Sequence, residues 1–262
     1  MRASPPSMRV VEVFLMTYRR RWKFNVGTTF LSPLFFLLGM GVGLGSIIDK
    51  GPGSGSSSLH GVAYLSFLAP GLLAATAMQV AATESTYPIM ARIKWDRIYE
   101  SMLATPMRVL DVVIGQLTWI ALRIFQTSVA FFIVIALFGA LDSPFAVFAI
   151  LGATLTGMAI AAPIAAWAVT RENDYAMSSV LRFAIMPMFL FSGTFFPVSQ
   201  LPSTIRPIAY ATPLWHGVDL CRALSLGDID LVFIAGHVAY LTALLLIGVA
   251  VARITFERRL VE

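Results

Sequence analysis

Apolar and polar positions alternate along this chain in long blocks rather than in short periods. Six blocks are apolar enough and long enough to cross a bilayer as helices: residues 27–48, 61–82, 109–138, 145–169, 177–196 and 231–252. The third exceeds the twenty or so residues that a bilayer requires, which predicts a tilted or projecting helix. Before the first block, residues 10–24 show helical spacing. Val11, Phe14, Leu15, Tyr18 and Trp22 share one side, and Glu12, Arg19 and Lys23 another, the pattern of a helix lying along a membrane surface. The expected fold is an all-α membrane protein with six transmembrane helices and an N-terminal interfacial helix. Residues 1–26 are the expected cytoplasmic N-terminus, 27–252 a single six-span membrane domain, and 253–262 a cytoplasmic tail.

The connections differ sharply in character. Residues 49–60, with the run Gly51-Pro52-Gly53-Ser54-Gly55, read as a flexible loop. Residues 83–108 are too polar to cross and carry Arg92, Lys94, Arg97 and Arg108. Within them Trp95, Ile98, Tyr99, Met102 and Leu103 follow the spacing of a short amphipathic helix, and Thr105-Pro106 ends it. Residues 170–176 are a short charged turn with Arg171, Glu172 and Asp174. The longest connection, 197–230, holds Pro197, Pro202, Pro207 and Pro213, which divide it into pieces too short to span. Its middle is half apolar, with Tyr210 and Trp215 suited to an interface, and it reads as one or two short re-entrant helices.

Charge gives these blocks a direction. The N-terminal segment holds six Lys and Arg, the 83–108 loop four, the connection from the fourth to the fifth block two with Arg182, and the tail three. The opposite connections hold only Lys50, Arg206 and Arg222. Fifteen against three places both termini in the cytoplasm. Counting 197–230 as a seventh span would put the arginine-rich tail outside, against that asymmetry.

Composition agrees with a membrane protein. Of 262 residues 58% are hydrophobic and 13% charged, and the mean hydropathy is +0.79. The net charge of +5 sits beside apolar blocks, so topology and anionic headgroups account for it better than nucleic acid does. Cys221 stands alone and no intrachain disulfide is possible. No cleavable signal peptide is evident.

Candidate chemistry is sparse. His60, His216 and His237 are scattered without a metal-binding spacing, and there is neither a nucleophile elbow nor a Walker A motif. Gly39, Gly41, Gly43 and Gly45 have helix-packing spacing inside an apolar block and no strand before them, which points to close helix contact rather than phosphate binding. Arg123 is an intramembrane charge with two readings: a pathway residue, or a side chain that snorkels or pairs with a neighbouring carboxylate. Asp111, Glu84 and Glu100 sit at cytoplasmic block ends, either solvated or facing a soluble partner. Few ionisable groups lie within the blocks, which disfavours an ion pathway and suits an amphiphilic substrate passing Phe, Met and Leu side chains.

Specific strings carry a resemblance. Glu84-Ser85-Thr86-Tyr87, Arg92, Tyr99 and Leu103-Ala104-Thr105-Pro106 are similar to the first cytoplasmic loop of type 2 ABC exporter permeases. Phe189-Leu190-Phe191-Ser192-Gly193-Thr194-Phe195-Phe196-Pro197, with Leu201-Pro202 and Pro207 followed by Tyr210 and Pro213-Leu214, resembles the terminal signature of the same family, closest to its nodulation-factor or lipooligosaccharide exporter branch. The resemblance implies a bacterial plasma-membrane permease that pairs with a second permease copy or homologue and with two ATPase subunits. Those subunits, and not this chain, would bind ATP and Mg. It implies an ATPase-coupling surface of Glu84, Tyr87, Arg92, Trp95, Arg97, Tyr99 and Glu100, with Arg171 and Asp174 as a lesser contact. It also implies an extracellular gate segment containing Phe195, Phe196, Pro197, Pro202, Tyr210 and Trp215. The substrate class is an amphiphile: a lipid-linked saccharide, a lipid or a drug. The alternatives are a secondary transporter and an integral membrane lipid-modifying enzyme. The first would need coupling-ion residues and an internal repeat, the second a catalytic cluster, and a scaffold without transport is a further rival.

Overall fold

The structure is a computed structural model that describes residues 5–20, 31, 34–48 and 63–261. Among the described residues all regular structure is helical. We number the helices α1 (Pro6–Arg20), α2 (Leu34–Ile47), α3 (Tyr64–Glu84), α4 (Tyr87–Lys94), α5 (Ile98–Leu103), α6 (Val109–Leu137) and α7 (Ala149–Val169). Then come α8, which runs from Asp174–Val180 through a π-helical Leu181–Ile185 into Met186–Phe191, α9 (Arg206–Tyr210), α10 (Pro213–Leu226) and α11 (Leu231–Val261).

Four helices are long and apolar enough to cross a membrane, those containing α3, α6, α7 and α11. The shorter apolar α2 and the interrupted α8 occupy the places of the first and fifth expected blocks; residues 27–30, 32 and 33 of the first lie outside the described residues. Helix α8 ends before residue 196 because Gly193 takes a left-handed φ of +81° and turns the chain. Helix α11 does not stop at residue 252. It continues to Val261, so the expected tail is helical. An Arg253–Glu257 pair one turn apart and a buried Phe256 hold this extension.

The packing centre is α7, which lies against α3, α6, α10 and α11. Small residues let these helices approach closely. Among them are Ala153, Ala161, Ala162, Ala165 and Ala166 of α7 and Ala74, Ala75, Ala77, Ala81 and Ala82 of α3, all buried. Gly248 of α11 sits directly on α7, where an added Cβ would lie 2.6 Å from Pro163 Cδ and 2.8 Å from its backbone nitrogen. Of the glycines in α2, Gly41 meets Leu65 of α3, while Gly39 faces open space. Gly41 and Gly45 are the buried positions of that series, and Gly43 is exposed.

The bundle has two chemically distinct ends. One holds α1, α4, α5, the 170–173 turn and the end of α11, with Arg9, Arg92, Lys94, Arg97, Arg171, Arg258 and Arg259. The other holds α9, α10 and the 139–143 turn, with Asp142, Asp219, Asp228 and Asp230. Along α3 they are separated from Phe67 to Glu84, roughly 25 Å at 1.5 Å per residue.

Candidate functional site

At the basic end, α1 lies on α6 with Val10, Val11 and Phe14 buried, while Leu15 turns outward. The described part of the helix, 6–20, begins four residues before the expected start at 10, and residues 21–24 fall outside the described residues. Gly115 of α6 makes the approach possible, since a Cβ there would lie 2.5 Å from Val10 Cβ. Phe14 and Tyr18 meet the Trp119 ring edge-on at 5.9 and 5.8 Å.

The 83–108 loop is fastened to this platform. Arg92 of α4 stacks its guanidinium 3.9 Å from the centre of the Phe14 ring and donates through Nη1 to Gln116 Oε1 at 2.7 Å. The Tyr99 hydroxyl of α5 donates to the same oxygen at 2.8 Å. Tyr99 is fully buried, packed 5.9 Å from Phe256 of α11. Burial pushes its phenol up to about 12, against the lowering effect of Arg92, so the hydroxyl remains a donor at neutral pH.

A second polar group joins α3, α6 and α1. Arg123 Nε donates to Glu84 Oε1 at 3.0 Å and Nη1 to Gln126 Oε1 at 3.3 Å. Gln126 Nε2 donates to the Tyr18 hydroxyl at 2.8 Å, and the guanidinium lies 4.6 Å from the centre of the Tyr18 ring. Arg123 thus has the carboxylate partner that one of its two sequence readings required.

The remaining expected coupling residues face away from the bundle. Trp95 is 62% exposed and Tyr87 38%, and the side chains of Arg97 and Glu100 are also exposed, 4.0 Å apart. Arg97 has a φ of +46° and breaks the helix between α4 and α5. Trp95 consequently does not share a face with Ile98, Tyr99, Met102 and Leu103, as unbroken periodicity suggested. The 170–173 turn lies beside the end of α4. Lys94 Nζ donates to the Glu172 carbonyl, and Arg259 of α11 reaches the Glu172 carboxylate at 3.5 Å. Arg171 covers the Trp167 ring at 5.1 Å and Asp174 opens α8, both exposed. Of the nine expected coupling residues, Glu84, Arg92 and Tyr99 bind inward and the other six remain at the surface.

At the acidic end the residues expected to form a gate pack together as a plug. Phe195 meets Phe189 edge-on at 5.1 Å and lies 6.1 Å from Phe36, and its carbonyl accepts from the Tyr64 hydroxyl at 3.4 Å. Pro197 and Pro202 bracket the 3₁₀ turn Val198–Gln200, against which Phe196 and Trp215 pack, and Tyr210 contacts Trp215 at 4.8 Å. Sequence reasoning missed the anchor of this plug. Arg222 of α10 donates to the carbonyls of Gly193 at 2.9 Å and Phe67 at 3.3 Å and stacks on the Phe67 ring at 3.8 Å. A cavity of about 660 Å³ opens beside it, with Asp219, Trp215 and Phe233 in its wall. Also missed was a histidine pair. His216 Nδ1 and His237 Nδ1 lie 2.8 Å apart, joining α10 to α11, with Asp219 Oδ2 3.4 Å from His237 Nε2. The signal was the i, i+3 spacing of His216, Asp219 and Arg222 on one helix face.

A model of the ABC-2 type transporter family matches residues 11–226, from α1 through α10, and so includes both the 83–108 loop and the plug. The chain belongs to the ABC-2 type transporter family. Among its relatives, nodulation protein J of Rhizobium leguminosarum bv. trifolii is 31% identical over 231 residues, covering 88% of this chain and 84% of that protein. Nodulation protein J of Rhizobium meliloti is 29% identical over 229 residues, 87% and 84%. That of Sinorhizobium fredii is 33% identical over 195 residues, 74% and 71%. The resemblance to the nodulation-factor exporter branch therefore extends over most of the chain. An ABC-2 permease is a membrane transport subunit, and the family works with ATPase subunits and forms dimers.

Proposed function

We propose that this ABC-2 permease is the membrane subunit of an exporter driven by separate ATPase subunits. It crosses the bacterial plasma membrane six times, with α2 and α8 within the first and fifth crossings and both termini in the cytoplasm. Residues 197–230 are the extracellular segment, and α9 and α10 dip back to close the exit. Two permease copies, identical or homologous, bring their pathways together. ATP and Mg bind the partner subunits. The substrate is an amphiphile, a lipid-linked saccharide, a lipid or a drug, in keeping with apolar helices that carry few free charges.

The observation that carries this reading is the division of labour in the cytoplasmic loop. Glu84, Arg92 and Tyr99 tie it to α1 and α6, while Trp95, Arg97 and Glu100 are left exposed on a basic surface at the opposite end of the bundle from the plug. A loop attached firmly on one side and open on the other suits transmission of force from a docked subunit into the helices. Co-expression with the ABC ATPase subunits should give a detergent-stable complex whose ATP hydrolysis depends on the permease. Failure of the two to associate under any condition would overturn the reading.

A further inference from the structure

Gln116 was not among the expected coupling residues, yet two of them, from different helices, meet at its side chain. Its Oε1 accepts from Arg92 of α4 and from Tyr99 of α5. Arg92 rests on Phe14 of α1, and Tyr99 on Phe256 of α11. The side chain is 1% exposed. Through one carboxamide on α6, both halves of the cytoplasmic loop touch the same point of a long apolar helix.

The orientation of that carboxamide follows from its neighbours. Arginine can only donate, so the atom facing Arg92 must be the oxygen. The nitrogen, Nε2, is then buried with no acceptor among the described residues, and so is Nε1 of Trp119, one turn further along α6. A buried N–H without a partner costs free energy that a second arrangement, with an acceptor supplied, would recover. A side chain held firmly at one atom and unsatisfied at the other would be favoured by a second arrangement that brings an acceptor to Nε2. That is the property a switch between access states requires.

We propose that Gln116 is the positioning residue through which movement of the α4–α5 loop is transmitted into α6. The inference rests on the exporter reading above. In the arrangement seen here the loop holds Oε1. Withdrawal of Arg92 releases the carboxamide to turn Nε2 toward an acceptor, and α6 then moves as a unit from its basic end toward the plug.

The test uses the full permease with co-expressed ATPase subunits in lipid nanodiscs. An environment-sensitive fluorophore on Ser199→Cys, an exposed position beside the plug, reports the outer end, and ATP with vanadate drives the change. Gln116→Leu removes the shared acceptor. It should leave assembly and ATP hydrolysis within about twofold of wild type while reducing the fluorescence response at least about fivefold. Gln116→Glu keeps the acceptor, adds an ion pair to Arg92 and deletes the unsatisfied donor. It should hold the present arrangement and raise the ATP concentration for half-maximal response about tenfold. A wild-type response in either variant overturns the role of Gln116, and so does a parallel loss of assembled complex in both. A wild-type complex that hydrolyses ATP without any response at Ser199→Cys sinks the exporter reading and this inference together.

Discussion

Arg123 of α6 and Glu84 at the end of α3 form an ion pair of 3.0 Å in which the side chains are only 15% and 19% exposed. They stand 39 positions apart in the chain. Their pairing turns an apparently isolated intramembrane charge into a clasp between two helices, closed over by Tyr18 of α1.

Removing either partner strands the other in a mostly buried position. Arg123→Ala and Glu84→Ala should each cost about 2 kcal/mol, below the cost for a fully buried pair because some solvent reaches both. The exchange Glu84→Arg with Arg123→Glu should recover part of the loss. Thermal unfolding of the detergent-solubilised protein checks this, and an Arg123→Ala variant as stable as wild type would show that the clasp contributes nothing. If Arg123 also serves the pathway, transport in Arg123→Ala should fall further than the amount of folded protein.

The two sides of the 83–108 loop should respond oppositely to substitution. Trp95→Ala and Arg97→Ala change exposed groups, so stability should shift by no more than about 0.5 kcal/mol while recovery of the ATPase subunits in a pull-down falls. Tyr99→Ala empties a buried site against Phe256 and should cost about 3–5 kcal/mol. Equal pull-down yields for Trp95→Ala and wild type would remove Trp95 from the docking surface.

Helix α11 carries an internal control for its own packing. Gly248→Ala would drive a methyl group into Pro163 of α7, backbone included, and should destabilise by about 1–3 kcal/mol. Gly236→Ala enters open space and should stay within about 1 kcal/mol of wild type. Comparable melting temperatures for the two variants would contradict this helix interface.

The histidine pair predicts acid sensitivity. One ring must donate across the 2.8 Å between His216 Nδ1 and His237 Nδ1, and the other must accept. A proton on each would place two cations at that distance. Arg222 of α10 adds positive charge nearby, Asp219 and Asp230 oppose it, and Tyr240 stacks on His216. Burial first, and the neighbouring His237 second, lower the His216 imidazole to about 4, so stability should be full above the ordinary imidazole range and decline as pH falls from about 6.5 toward 4. His216→Phe, which keeps the stack on Tyr240, should flatten that decline between pH 7.5 and 5. An unchanged pH profile in the variant would dissociate the pair from it.

What the sequence determined by itself is local or additive. The length of an apolar run sets whether a helix can span, because each residue contributes a fixed rise. On that basis the bounds of α6 and α7 were legible to within a few residues, and the proline-divided segment was legible as pieces too short to cross, now α9 and α10. Charge asymmetry likewise requires only counting. The family strings at 84–106 and 189–214 marked the loop and the plug.

Which side chains meet was decided by the tertiary structure alone. Periodicity names the face of a helix but not the neighbour that covers it. Gln116, one polar residue in an apolar run, gave no sign that Arg92 and Tyr99 would share its oxygen. Trp95 was separated from Tyr99 by a single left-handed residue, Arg97, which lacks the glycine signature of such a break. Glu84 and Arg123, and His216 and His237, became pairs only when packing brought their helices together. Buried polar groups seek partners across space, and small residues such as Gly115 and Gly248 decide how closely those helices come.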